Sequence, residues 1–161
     1  MGSKRVGLAR TQTLIENLKR ELNLGGTSLA GTVEGTAQAE SGGTLALTAA
    51  DSGKVVFLAA NNAAITLPDA AVGLFYRIIL SEDYSTAVST VTAQSGDFLA
   101  GGAVSLDSNH GNAANGSSNL VATFGSATLA GDYIDLHCDG QLWFVRGQST
   151  AKTNGIVFSD S

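Results

Sequence analysis

The residue types that most often carry chemistry are few in this chain and lie in two stretches. His137 and Cys138 are adjacent in one stretch, and His110 follows Asp107 in the other, a polar stretch over residues 107–118. Adjacent residues of a strand point to opposite faces, so His137 and Cys138 do not readily ligate one metal ion. The chain has neither a G-x-S-x-G elbow nor a phosphate-binding glycine loop. The sequence therefore predicts a protein that is not an enzyme and that has no cofactor or metal.

The strongest local pattern is a predicted β-hairpin built around Asp139-Gly140. This pair is preferred in two-residue hairpin loops, because both central residues need a positive φ. Alternating apolar residues on both sides predict strands over residues 132–138 and 141–147. Trp143, the single tryptophan, falls on an apolar face, which favours burial in the structural core over an exposed platform for sugars. The hairpin is predicted to support the fold rather than to react.

Period-two apolar patterns and turn residues continue through most of the chain. In addition to the hairpin, strands are predicted at residues 44–48, 55–59, 64–67, 74–80, 89–94, 103–106, 120–124 and 156–158. Many short strands with no helix between them are typical of an all-β sandwich or barrel. We therefore expect a mainly β fold, a jelly-roll-like β-sandwich or barrel, as a head domain over residues 44–161. Residues 107–118 are predicted to form a polar loop without a core residue.

The N-terminal part of the chain has a different composition. Residues 1–24 carry five basic and two acidic side chains, whereas the remainder carries four basic and twelve acidic ones. Apolar residues at seven-residue spacing predict a short amphipathic α-helix that ends at Gly25-Gly26. This helix either associates with copies of itself or docks singly on its own body or on a partner. Residues 25–43 are rich in glycine and predict a flexible linker.

The charge distribution bears on the partners of the protein. A basic arm on an acidic body is typical of a chain whose two parts face different surroundings, although a solvated helix with scattered charges is the simpler alternative. The arm has no aromatic residue for base stacking, so no nucleic acid partner is expected. The longest apolar run, residues 55–60, is too short for a membrane span, and no secretory signal follows the N-terminal charges. The sequence predicts synthesis in a cytoplasm and no membrane contact.

The order of these motifs resembles small β-domains of tailed-phage virion proteins over about residues 40–149. The pattern I-x-L-x-x-D-G-x-x-W-x-V-x-G, from Ile134 to Gly147, resembles the last hairpin of such domains. Upstream, TLALTAADSGKVVFLAA and AITLPDAAVGLFYRIIL resemble their opening strands. A Leu-Pro-x-Ala-x-x-Gly corner joins two strands there, and this chain has Leu67, Pro68, Ala70 and Gly73. Residues 3–22 are similar to the start of structural proteins from phages of marine bacteria.

The resemblance implies a structural virion surface protein that forms a homotrimer. In the first interpretation it is a capsid decoration, or cement, protein that sits on the major capsid protein lattice and stabilises it. The arm would then serve self-association or capsid anchoring through Lys4, Arg5, Leu8, Arg10, Ile15, Leu18 and Leu22.

The alternative implied by the resemblance is a tail-fibre or head-fibre tip that binds a host receptor or cell-surface glycan. Such a tip would use a surface loop, because loops often carry functional contacts. The candidate contacts are Asp107, Asn109, His110 and Asn112. A flexible loop at a subunit edge is the simpler interpretation of the same residues. Both alternatives place the protein on the virion, where other virion proteins are further candidate partners.

Overall fold

The computed structural model describes residues 38–40, 43–59, 62–86, 88–106, 111–151, 153 and 155–160, which form twelve strands and one 3-10 helix, Ala49–Asp51. The strands are β1 (Gln38–Glu40), β2 (Thr44–Ala46), β3 (Val55–Leu58), β4 (Ala64–Thr66), β5 (Phe75–Leu80), β6 (Ser89–Thr92), β7 (Phe98–Ser105), β8 (Gly111–Asn115), β9 (Val121–Phe124), β10 (Tyr133–Cys138), β11 (Leu142–Ser149) and β12 (Ile156–Ser159).

The strands form two mixed sheets. The seven-stranded sheet has the order β1-β3-β5-β10-β11-β7-β8, and the five-stranded sheet has the order β12-β9-β6-β4-β2. Apolar residues of both sheets join in one buried cluster. The alternation of buried and more exposed residues along β5 and β10 follows from the period of two in a pleated strand. The predicted mainly β class is confirmed.

The first six strands alternate between the sheets. The odd-numbered strands β1, β3 and β5 lie parallel in the larger sheet, and β2, β4 and β6 lie parallel in the smaller one. The chain therefore passes from one sheet to the other at each step and returns beside its own earlier strand. A jelly roll is antiparallel throughout, so the pairing expected of a jelly roll does not hold for these six strands. The alternation of apolar residues predicts which face of a strand is buried, but it does not predict whether the strand runs parallel or antiparallel to its neighbour.

The predicted hairpin occupies the centre of the larger sheet. Strand β10 pairs antiparallel with β5 on one side and with β11 on the other, and β11 pairs parallel with β7. Cys138 pairs with Trp143, so four residues separate the last paired positions. The prediction of a two-residue turn is therefore wrong. Of the pair Asp139-Gly140, Gly140 alone has a positive φ, +98°. Asp139 Oδ1 instead accepts hydrogen bonds from the backbone N–H groups of Gln141 and Leu142, both at 2.9 Å.

A buried carboxylate fastens the open end of this hairpin. Asp132, 2% exposed, accepts hydrogen bonds from the N–H and hydroxyl groups of Thr150, from the Ser149 hydroxyl at 3.1 Å and from the Leu129 N–H at 3.1 Å. Burial of a carboxylate is costly unless donors surround it, and four donors do so here. Asp132 thereby joins the start of β10 to the end of β11.

The core lies between the two sheets. Trp143 is fully buried, and its ring lies 5.8 Å from the ring of Tyr76, whose hydroxyl donates to the Thr48 carbonyl at 2.8 Å. Burial raises the pKa of Tyr76 to about 12. Phe144, the neighbour of Trp143 on β11, is 44% exposed on the opposite face. The largest fully buried side chains are Trp143, Tyr76, Phe124, Leu58, Ile65, Leu67, Ile78, Leu80, Leu99, Ile134, Leu136 and Ile156.

Two strands lie where the sequence predicted none. Strand β1 falls within residues 25–43, the predicted linker, and pairs with β3. Strand β8 falls within the predicted polar loop, and its Ala114 is buried. Both strands lie at an edge of the seven-stranded sheet, where main-chain hydrogen bonds to one neighbour suffice and an alternating apolar pattern is not required.

The predicted N-terminal helix and its residues Lys4, Arg5, Leu8, Arg10, Ile15, Leu18 and Leu22 lie outside the described residues, as does the linker apart from residues 38–40 and Gly43. The division of the chain into arm, linker and head stays a prediction, with the correction that the described β structure already includes β1.

Replacement of Trp143 by Ala should lower the free energy of unfolding by about 3–5 kcal/mol, since it leaves a large cavity between the sheets. Trp143→Phe should cost less, because the Trp143 Nε1 has no hydrogen-bond partner within the described part of the chain and its loss removes a buried unsatisfied donor. Urea denaturation measures both values. Phe144→Ala, on the exposed face, is the control, and an equal loss in the control and in Trp143→Ala would contradict this packing.

The unfolding free energy should also depend on Asp51 at acid pH. Hydrogen bonds from Lys54 Nζ at 2.6 Å and from the Thr48 hydroxyl at 2.6 Å lower the pKa of Asp51 from 3.8 to about 2. A lowered pKa stabilises the fold above about pH 4, and this contribution is lost as the pH falls towards 2. Because the ion pair is partly exposed, we expect about 1 kcal/mol. Thermal melts from pH 5 to 2 should show a smaller decline in Asp51→Asn than in the wild type; parallel curves would contradict the assignment.

Candidate binding groove

The outer face of the seven-stranded sheet carries three rows of side chains that run across the strands. The register places Phe75, His137 and Phe144 in an aromatic row, Arg77, Asp135 and Arg146 in a charged row, and Ile79, Tyr133, Gln148 and Val104 in a mixed row. Phe75 and His137 stack with ring centroids 5.1 Å apart. The hairpin that supports the core thus also supplies the middle of an ordered external surface.

A groove of about 590 Å³, open to solvent, crosses this face over β10, β11 and β7. Apart from Val145, which is buried in the core, the lining side chains come from the charged and mixed rows of these three strands. The lining residues are Gly101, Gly102, Val104, Tyr133, Asp135, Val145, Arg146, Gly147 and Gln148. This groove is the candidate functional site.

Glycine forms the floor of the groove because the neighbouring backbone leaves no room for a side chain. A Cβ atom at Gly102 would lie 2.4 Å from the Asn112 carbonyl oxygen on β8, and one at Gly147 would lie 2.6 Å from the Tyr133 carbonyl oxygen on β10. Contacts this short do not occur between real Cβ atoms and backbone. The close approach of the strands therefore requires glycine at both positions. Gly102 lies on the outer face beside Arg146 and leaves the main chain bare there, whereas a Cβ at Gly147 would point towards the buried Ile134.

A bidentate ion pair fixes one wall of the groove. Arg77 Nε and Nη2 donate to the two carboxylate oxygens of Asp135 at 2.5 and 2.6 Å. The Arg77 guanidinium also lies 5.3 Å from the centroid of the Tyr133 ring. The hydrogen bonds to Asp135 raise the pKa of Arg77 above its ordinary value. Both oxygens of Asp135 are occupied by a permanent cation, so Asp135 is poorly suited to act as a general base.

Three polar side chains remain free in the groove. The Tyr133 hydroxyl, the Arg146 guanidinium and the Gln148 amide have no hydrogen-bond or ion-pair partner among the described residues. Arg146 lies directly across from Asp135 in the register, but Arg77 already holds that carboxylate. The groove therefore offers a cation, an amide and a hydroxyl to an external ligand.

The sequence matches no protein-family model and no curated protein, and the fold matches no solved structure. The functional argument therefore rests on the geometry of the described residues. Among the helices of the described residues, none is long and apolar enough to cross a membrane.

Of the residues predicted as surface contacts, Asn112 alone lies in the described part of the chain, and it does not line this groove. Asn112 lies on β8, and its side-chain Nδ2 donates to the Ile156 carbonyl at 2.7 Å. Asp107, Asn109 and His110 lie outside the described residues. Asn112 thus has a structural partner, and the groove is formed by other residues, which the sequence interpretation assigned to scaffold alone.

His137 and Cys138, two of the residues that first indicated chemistry, lie on opposite faces of β10. Cys138 is buried and His137 is exposed, which is the opposition expected for neighbours on a strand. Burial raises the pKa of the Cys138 thiol, so its nucleophilic thiolate is disfavoured. Within the described part of the chain, no group of three or more His, Cys, Asp or Glu side chains is placed to hold a metal ion.

Gly102→Ala should lower the free energy of unfolding by about 2 kcal/mol, because the new methyl group forces β7 away from β8. Urea denaturation measures this loss. Ala113→Ser adds one atom at the exposed position opposite Gly102 and should change stability by less than about 0.5 kcal/mol. Equal stability of Gly102→Ala and the wild type would show that the two strands are not packed as closely as described.

Proposed function

We propose that the protein is a non-enzymatic structural protein of a phage virion surface, anchored by its basic arm and displaying the β head outward. The primary candidate is a capsid decoration protein that binds the major capsid protein lattice as a homotrimer. The likeness to phage β-domains is part of this proposal. It is supported by the corner from Leu67 to Gly73, which joins β4 to β5 and has Gly73 at a φ of +84°.

The observation that carries the proposal is the separation of the chain entry from the groove. Strand β1, the first strand of the described residues, lies at one edge of the seven-stranded sheet, whereas β7 lies five strand spacings away. Strands are about 4.8 Å apart, which gives roughly 24 Å between β1 and β7. The chain thus enters the sheet at one edge, and the groove lies towards the other edge. A protein displayed on a virion needs this separation between its attachment and its binding surface.

The charge asymmetry supports anchoring through the arm. Residues 1–24 have a net charge of +3, and residues 25–161 have a net charge of −8. The arm and head therefore favour surfaces of opposite sign, and the acidic head does not compete with the arm for an acidic capsid surface.

The trimer is supported by the short apolar seam of the arm. The seam formed by Leu8, Ile15, Leu18 and Leu22 is too short to hold an isolated coiled coil together in water. Attachment to heads that associate with one another raises the effective concentration of the helices and allows a weak seam to associate.

A second candidate is a tail-fibre or head-fibre tip that binds a host receptor or glycan. The groove favours it, since three free polar side chains over a glycine floor form a surface that a purely structural sheet does not need. In both candidates the protein is located on the virion.

Deletion of residues 1–24 should abolish incorporation into virions that lack the native protein, while the head keeps its unfolding transition. Quantitative gel analysis of purified particles gives the occupancy, and native mass spectrometry gives the oligomeric state of the free protein. Full occupancy of the truncated protein would contradict anchoring by the arm, and a monomeric full-length protein would contradict the trimer.

Two further variants test separately the two proposed roles of the arm, anchoring through its basic residues and self-association through its apolar seam. Simultaneous Lys4→Glu, Arg5→Glu and Arg10→Glu should reduce occupancy and leave the seam intact. Ile15→Asp with Leu18→Asp should instead shift the free protein towards the monomer, because a buried unpaired carboxylate is costly in an apolar seam. Identical behaviour of both variants would show that the arm does not divide these roles.

A further inference from the structure

We infer that the groove on the outer face of the seven-stranded sheet binds a saccharide that carries a carboxylate group, with Arg146 pairing with that carboxylate. The inference deepens the second candidate under the proposed function, because it names the chemical class of the ligand. It depends on the groove and not on the arm.

The first argument is that Arg146, on an acidic head, is a cation without an ion-pair partner among the described residues. The described basic residues of the head are Lys54, Arg77 and Arg146, of which Lys54 pairs with Asp51 and Arg77 with Asp135. A guanidinium binds a carboxylate through two parallel N–H groups, as Arg77 does with Asp135. Asp135 pairs with Arg77 and not with Arg146, so Arg146 is left available to a carboxylate that arrives from outside.

The second argument concerns the neutral part of the ligand. Saccharide hydroxyl groups both donate and accept hydrogen bonds, and they are matched by side chains that do the same. The Gln148 amide and the Tyr133 hydroxyl have this property, and both line the groove beside Arg146. The three groups together match a ligand with one anionic group and neighbouring hydroxyls.

The third argument excludes the usual way in which a sheet binds a peptide. Peptides commonly add a strand at a free sheet edge, where unpaired main-chain groups are available. The strands under the groove have no free edge: β10 lies between β5 and β11, β11 between β10 and β7, and β7 between β11 and β8. A ligand in this groove must therefore be recognised by side chains and by the bare main chain at Gly102, which lets a sugar ring approach the sheet closely.

The test is calorimetric titration of the full-length protein with trigalacturonic acid and with 3′-sialyllactose, which represent the two common sources of saccharide carboxylates. Their neutral counterparts are the carboxyl-reduced trisaccharide and lactose. We expect at least one acidic saccharide to bind tenfold or more tightly than its neutral counterpart, and binding to weaken as salt is raised. Arg146→Gln should weaken that binding by about tenfold or more, because one charge-assisted hydrogen-bonded pair is lost.

Lys54→Gln is the matched control, since it removes a cation of the head that lies outside the groove. It should bind as the wild type does, and thermal melts should show that Arg146→Gln remains folded. The inference is overturned if neither acidic saccharide binds, if Arg146→Gln binds as tightly as the wild type, or if a tetraglutamate peptide binds as tightly as the saccharide. Titration uses the free protein, so its failure leaves the occupancy test of the arm unaffected.

Discussion

The main-chain ladder that holds the β10–β11 hairpin in the seven-stranded sheet is the interaction on which the rest of the structure depends. The hairpin lies between β5, the last of the three mutually parallel strands β1, β3 and β5, and β7, which pairs with the edge strand β8. Neither β5 nor β7 pairs with the other, so the hairpin alone makes one sheet of the two parts. It also places Trp143 against Tyr76 in the core. The Tyr76 hydroxyl donates a hydrogen bond to the carbonyl of Thr48, which directly precedes the 3-10 helix. Sheet continuity and core packing therefore rely on the same element.

Much of this architecture can be predicted from apolar alternation, since burial on one face fixes the period of a strand. Although the predicted length of the hairpin turn was wrong, each strand residue was still assigned to the correct face of the sheet. The predicted turn would pair Cys138 with Gln141, whereas Cys138 pairs with Trp143. A shift of two residues keeps every side chain on its own face, whereas a shift of one would invert them. The longer turn arises because the Asp139 side chain accepts two backbone hydrogen bonds, a choice that the Asp-Gly pair alone does not reveal.

The direction of the strands and the two edge strands could not be predicted in the same way. The parallel pairing of β3 with β5 depends on how the chain crosses between sheets, which involves contacts far apart in sequence. Strand β8 has the sequence GNAAN, and its main chain pairs with β7 without an apolar stripe. The side-chain pattern therefore does not predict a strand that is held in the sheet mainly by main-chain hydrogen bonds.

The groove could not be predicted from the sequence either, because it depends on contacts between residues that are far apart in the chain. Gly102, Tyr133 and Arg146 are ordinary residues of separate strands, and only the register brings them together. The hint available in the sequence was the Gly101-Gly102 pair, which lies inside β7 although the sequence predicted that this strand begins at residue 103. Glycine within a strand often marks a close approach of backbone or ligand. The hairpin is thus both the support of the core and, on its other face, the support of the proposed binding surface.

An NMR titration of the isotopically labelled full-length protein with an acidic trisaccharide tests the proposed use of this surface most directly. The account predicts that amide shifts change along the outer-face positions of β7, β10 and β11, with the largest changes near Arg146 and Gln148. Changes confined to residues 106–110, or no changes at saturating trisaccharide, would contradict it.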